Sequence, residues 1–305
     1  MASSSENASH SDSQASAAEV PGFGRRLKLG WREAGECWRL IRRDPYLLVL
    51  PTLSLVFVIA TWAALFLVAS AVVGEFYLQM AIVGALAAYP SNFAATFFGV
   101  AFIALADGRL HGQKTTIAEG LRIARTRLRA IAKWALLASG VGLALQLLQQ
   151  LRSDWIAASI FSWIAGAAWT VLTFFVVPVL AFEDLGIRDT LRRSGQIVRE
   201  RWGEGIGGAG NLAVVFGVAI LVLFVPGMIV MGIAFTFGQA AGIAIAVVLG
   251  MLFVASIGAA SVAGQLFALA LYRFATTGAP IGGFSPDVLT TAFRPRRSRW
   301  RPWSR

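Results

Sequence analysis

Residues 205–272 read GIGGAGNLAVVFGVAILVLFVPGMIVMGIAFTFGQAAGIAIAVVLGMLFVASIGAASVAGQLFALALY, 68 positions without one charged side chain. A helix rises 1.5 Å per residue and crosses a bilayer core in about 20 apolar residues. This stretch therefore holds two spans and a turn. The Pro226–Gly227 break and the Phe237–Gly238–Gln239 segment place that turn near residue 238. Four further uncharged windows, Tyr46–Gly74, Phe76–Ala106, Trp134–Leu151 and Trp155–Phe182, each hold one span. The apolar runs are continuous and do not alternate with period two, so they predict helices and exclude a barrel.

The expected fold is thus an all-α integral membrane protein with six spans, at about 46–73, 80–106, 134–150, 155–182, 209–234 and 241–272. They make one six-span membrane domain over 25–278. Residues 1–24 read as a disordered cytosolic tail: Ser and Ala fill 12 of the first 20 positions, and no apolar core for a signal peptide is present. Residues 279–305 read as a basic cytosolic tail.

Of 27 Lys and Arg residues, all but Arg152 fall into four clusters. These clusters precede span 1, separate spans 2 and 3, separate spans 4 and 5, and follow span 6. Basic loops stay in the cytosol, so both termini are expected there. The expected location is the inner or plasma membrane of a prokaryotic cell. The net charge of +11 follows from this sorting, and no aromatic–basic motif for nucleic acid appears. The natural counter-charge is the anionic inner leaflet. A protein partner or a second copy of the chain is the other expected occupant of the basic face.

The cytosolic segments also carry a pattern. Leu27, Trp31, Ala34, Trp38 and Ile41 recur at steps of three and four. So do Ile117, Leu121, Ala124, Leu128 and Ile131, and then Ile187, Leu191, Ser194, Val198 and Trp202. Such spacing makes one apolar helix face. Helices of this kind lie in the membrane interface or pack on span ends. Each leads into a pair of spans, which suggests a threefold repeat of in-plane helix and hairpin. The first two are strongly basic, and their Arg39, Arg42, Arg43, Arg122, Arg125, Arg127 and Arg129 form the candidate face for lipid or a partner.

Chemistry is sparse. The span interiors carry no ionisable group, where such groups usually mark function. Asp107, Glu183 and Asp184 stand at span ends as turn acids, to be paired with local Arg. Convergence of Asp107, His111 and Asp184 is the one arrangement that would point to an enzyme. Two His and one Cys (Cys37, read as an apolar face residue or a site of palmitoylation) supply no metal spacing. No nucleotide loop or nucleophile elbow occurs. No cofactor and no catalytic residue is expected. Pro90, Asn92 and Gln265 are candidates for a polar cavity, and Pro51, Pro90, Pro178 and Pro226 each remove a backbone donor. Small residues at Ser256, Ala260, Gly264 and Ala268 permit close helix approach, within the bundle or between copies.

Two segments carry a resemblance. They are Trp38–Arg39–Leu40–Ile41–Arg42–Arg43–Asp44–Pro45 with Leu50–Pro51, and Leu271–Tyr272–Arg273–Phe274–Ala275–Thr276–Thr277–Gly278 with Gly283–Phe284 and Ala292–Phe293. With them, most of residues 25–294 resembles an uncharacterised prokaryotic family of six-span membrane proteins, a domain of unknown function. The chain is more distantly similar to the membrane domain attached to some glycerophosphodiester phosphodiesterases. The resemblance implies topology alone, since the His, Glu and Asp cluster of those enzymes is missing. Two readings of function stand. One is a non-enzymatic scaffold or accessory module with a basic cytosolic face. The other is a transporter or permease for a small apolar or lipid-like solute.

Overall fold

The computed structural model describes residues 35, 37–151, 155–202, 208–278 and 281. Both tails apart from residue 281, the stripe residues Leu27, Trp31 and Ala34, and Arg152 lie outside them. So do the side chains of Gln149, Gln150, Trp202 and Asn211. Every regular element among the described residues is helical. Helix α1 covers 37–43 and ends in a short 3-10 turn, Pro45–Leu48. Then follow α2 (Val49–Val72), α3 (Phe76–Leu110), α4 (Ile117–Thr126), α5 (Leu128–Leu151), α6 (Trp155–Thr173) and α7 (Val176–Phe182). The last three are α8 (Ile187–Trp202), α9 (Gly208–Thr236) and α10 (Gln239–Thr277). Five helical stretches are long and apolar enough to cross a membrane: Pro45–Val72, Phe76–Leu110, Leu128–Leu148, Ile164–Phe182 and Gln239–Thr277. The apolar segment Phe224–Thr236, within α9, is shorter.

Helix α3 is the axis of the bundle. It packs against α2, α4, α5, α7 and α10. From Gly99 to Ala106 it is buried on every side, whereas a helix covering a core on one face buries only a stripe. Around this segment close Phe175, Val176 and Val179 at the start of α7, and Leu266, Phe267 and Leu269 of α10. The core therefore sits at one end of the bundle, where α3, α7 and α10 all terminate. Away from it, α2, α9 and the first half of α10 expose their large side chains, among them Leu67, Val68, Met228 and Met251. Helices α9 and α10 touch mainly each other. The ring pair Phe224–Phe253 joins them at 4.4 Å, and the chain turns between them at Phe237–Gly238.

The prolines behave differently from one another. Pro51 is the third residue of α2, where its missing N–H has no intrahelical carbonyl to serve. Helix α3 runs unbroken through Pro90, and α9 through Pro226. Among the described residues, a span breaks only near Pro178. Pro178 has no N–H for the carbonyl of Phe174, and the helix is interrupted at Phe174–Phe175. The Ser194 hydroxyl, from α8, fills in at this break. It accepts from the Phe175 N–H at 3.2 Å and donates to the Leu172 carbonyl at 2.6 Å.

The short helices differ from their expected stripes in two ways. The second stripe does not run along one helix. It divides at Arg127, so Leu128 and Ile131 belong to α5. In the first, Cys37 and Ile41 face inward while Trp38 is about half exposed. The buried face is thus one residue displaced, because Cys37 fits against the Ala263 carbonyl of α10. Burial of Cys37 gives it a packing role and leaves no room for an acyl group.

Helix α4 starts at a full capping box, with Thr116 and Glu119 each bonding the other's backbone N–H. It lies so close on α3 that a Cβ on Gly120 would fall 2.6 Å from the Ala101 carbonyl oxygen. Gly120→Ala should therefore lower stability by about 1–3 kcal/mol despite the helix-favouring side chain. Gly140→Ala, where a Cβ meets nothing within 4 Å, should leave stability unchanged or raise it. Thermal unfolding midpoints of the two variants in one detergent check the pair.

Candidate functional site

The polar chemistry of the described structure gathers at the end where α3, α7 and α10 stop. Arg273 lies five residues before the left-handed Gly278 that ends α10 at Thr277. Its guanidinium grips Asp107 through two parallel bonds, Nε to Oδ1 at 2.7 Å and Nη2 to Oδ2 at 2.5 Å. The same guanidinium lies over the Phe182 ring at 4.2 Å. Phe182 in turn stacks on Tyr272, with centroids 5.5 Å apart. The Tyr272 hydroxyl donates to Glu183 Oε1 at 2.9 Å, and Arg193 of α8 donates to the same oxygen at 3.2 Å. Two adjacent residues of α10 thus hold the ends of α3 and α7. A fork-to-fork Arg–carboxylate pair fixes direction as well as distance, which a lysine cannot do.

A second ion pair closes the other side. Asp44 caps the 3-10 turn by accepting from the Tyr46 N–H at 3.2 Å, and its other oxygen takes Arg109. Arg109 also donates to the Thr115 carbonyl at 3.0 Å and lies over the Tyr46 ring at 5.2 Å. A third pair joins Arg127 to Asp184, holding the α4–α5 break against the loop after α7. Asp107, Glu183 and Asp184 therefore do pair with Arg. Two of the three partners are remote in sequence and only Arg193 is local. His111 stands one turn from Asp107, with Nδ1 at 2.8 Å from its carbonyl and 3.6 Å from its carboxylate. Asp184 is engaged elsewhere, by Arg127.

The basic residues singled out from the sequence separate into two kinds. Arg39, Arg42, Arg43, Arg122, Arg125 and Arg129 are exposed, and Arg42 lies over the Trp38 ring at 5.3 Å. Arg127 is half-buried in its ion pair.

The three polar-cavity candidates are not brought into one hydrogen-bonded group. Asn92 donates to the Ala88 carbonyl at 2.9 Å and to Ser139 of α5 at 3.1 Å, and Ser139 donates to the same carbonyl at 3.1 Å. Neighbouring hydroxyls commonly serve carbonyls near a proline in a span, and Pro90 follows two residues later. Gln265 donates to Ser261 at 3.2 Å. Its carbonyl oxygen is buried against Gly99, about two turns along α3 from Asn92.

Residues 77–283 match the model of a family described as a family of unknown function, DUF6159. The chain belongs to that family. The DUF6159 match begins at the second residue of α3 and takes in both partners of the Asp107–Arg273 and Glu183–Tyr272 contacts. It leaves Asp44 and α2 outside, and is narrower than the expected resemblance over 25–294. No curated protein matches the chain, so the distant similarity to the membrane domain of glycerophosphodiester phosphodiesterases stands without support.

Sequence reasoning missed Asp44, Arg109, Tyr272 and Arg273. One signal was present: Arg273 directly follows the longest uncharged run, inside the helical pattern and apart from the tail bases. Removing one member of its pair leaves a largely buried charge. Arg273→Gln or Asp107→Asn should each cost on the order of 2 kcal/mol, below the roughly 3–5 of a fully buried pair because some solvent reaches both ends. The double variant should cost less than the sum of the two. Unfolding in detergent of all four proteins measures the coupling.

Proposed function

We propose that this DUF6159 protein is a non-enzymatic module of the prokaryotic cell membrane, crossing it six times with both termini in the cytosol. In this reading its basic cytosolic face engages anionic lipid or a partner protein. α9 supplies the sixth span beside the five long apolar stretches, and α1, α4 and α8 lie at the cytosolic surface, each leading into a hairpin.

One observation carries the reading. Asp44, Asp107, Glu183 and Asp184 are all bound to arginines, whereas Arg122, Arg125 and Arg129 are exposed and have no ion pair among the described residues. These four acids are held by the bundle and Glu119 is turned to its capping box, so Arg122, Arg125 and Arg129 keep their charge at the surface. Helix α4 cannot roll Arg122 and Arg125 away, because Gly120 and Ala124 are packed against the bundle. A transporter is the second reading. It is favoured by the buried Gln265 carbonyl oxygen, which lacks a hydrogen-bond partner, and by the break at Phe174–Phe175.

Each base near an anionic surface contributes about 1 kcal/mol. Arg122→Gln, Arg125→Gln and Arg129→Gln together should weaken docking of the full-length protein, held in neutral nanodiscs, to anionic vesicles by on the order of 100-fold. Flotation reads this out, and docking should fall with added salt. Undiminished docking by the triple variant sinks the lipid version.

The orientation has its own test. Phe237→Cys, at the α9–α10 turn, should react with a membrane-impermeant maleimide on intact cells, whereas Arg122→Cys should react only after lysis. The native Cys37, 1% exposed, should contribute little background. The opposite pattern overturns the topology.

A further inference from the structure

Helix α8 differs from α1 and α4 in overall charge, with five bases and five acids over 183–204, yet it carries a basic recess. A surface depression of about 250 Å³ is lined by Arg192, Gly195, Gln196 and Arg199. Arg192 and Arg199 are seven residues apart, so they stand on one helix face about 10 Å from each other. Gln196 lies between them, and Gly195 leaves the floor without a side chain. The neighbouring Arg193 turns inward to Glu183. Arg192 and Arg199 are exposed, and neither has an ion pair among the described residues.

The recess also has an apolar border. A Cβ on Gly195 would lie 3.0 Å from Leu172 of α6. Leu172 is itself 40% exposed, and Ile164, two turns back on α6, is 56% exposed. Two guanidinium groups with an amide between them suit the oxygens of a phosphate. An exposed apolar helix flank running away from them suits the chain attached to it.

We propose that this recess is a headgroup site for one anionic phospholipid, with the phosphate between Arg192 and Arg199 and an acyl chain along α6. The inference deepens the proposed lipid-facing role. It names a single stoichiometric site, distinct from the diffuse field of α4. Among the described residues no carboxylate forms an ion pair with Arg192 or Arg199, although the exposed Asp189 lies one turn before Arg192.

Native mass spectrometry of the full-length protein, titrated with phosphatidylglycerol, phosphatidylcholine or inorganic phosphate, tests it. The wild type should take up one phosphatidylglycerol in preference to phosphatidylcholine. The Arg192→Gln/Arg199→Gln variant should bind it at least about tenfold more weakly, with an unchanged unfolding midpoint. Arg122→Gln/Arg125→Gln/Arg129→Gln should keep this one-to-one binding even as it loses vesicle docking, so the two readings fail separately. Equal phosphatidylglycerol binding by the Arg192/Arg199 variant overturns the site. Displacement of the lipid by millimolar inorganic phosphate overturns the lipid assignment in favour of a free anion.

Discussion

Arg273 is the residue on which the packed end of the molecule depends. Its guanidinium is held by both oxygens of Asp107 and by the face of Phe182, so one side chain of α10 fixes α3 and α7 together. The apolar segments that meet above it, Gly99–Ala106 of α3 with Leu266–Leu271 of α10, are buried throughout. In a bilayer, helices gain little from hiding apolar surface from one another, because lipid tails are equally apolar. Directional contacts at the polar edge then decide which helices meet and at what height.

That division explains the placing of charge. Acids at the helix ends do not neutralise whichever base is nearest. Asp107, Asp44 and Asp184 reach across the fold to Arg273, Arg109 and Arg127. Most arginines with structural tasks stand beside helix ends, Arg193 within α8 being the exception, and those along the outer faces of α1, α4 and α8 are left for the surface. Neighbours such as Arg192 and Arg193 have different tasks, because one step along a helix turns a side chain by about 100°.

Much of this was legible in the sequence at the level of helices. The uncharged windows marked every long apolar helix, and the turn at Phe237–Gly238 fell where the Pro226–Gly227 break and the glycine suggested. Side-chain partners were not legible, because periodicity reports a face and not what covers it. The shift from Trp38 to Cys37 on the buried face of α1 depends on the position of Ala263, more than 220 residues away. The division of the second stripe at Arg127 contains no proline or glycine to announce it, and the arginine is held by an acid on a different loop. At the site, the exposure of Arg122, Arg125 and Arg129 followed from spacing, whereas Arg127 could be separated from them only once Asp184 had been placed.

Arg273 also sets an order in time. Its partner Asp107 lies 166 residues earlier in the chain. At a synthesis rate of about 5–20 residues per second, roughly ten to thirty seconds pass between the emergence of one and the other. Until Arg273 emerges, Asp107 and Glu183 lack the α10 side chains that hold them in the finished fold. The Asp107–Arg273 contact can therefore close only after the intervening helices have been made.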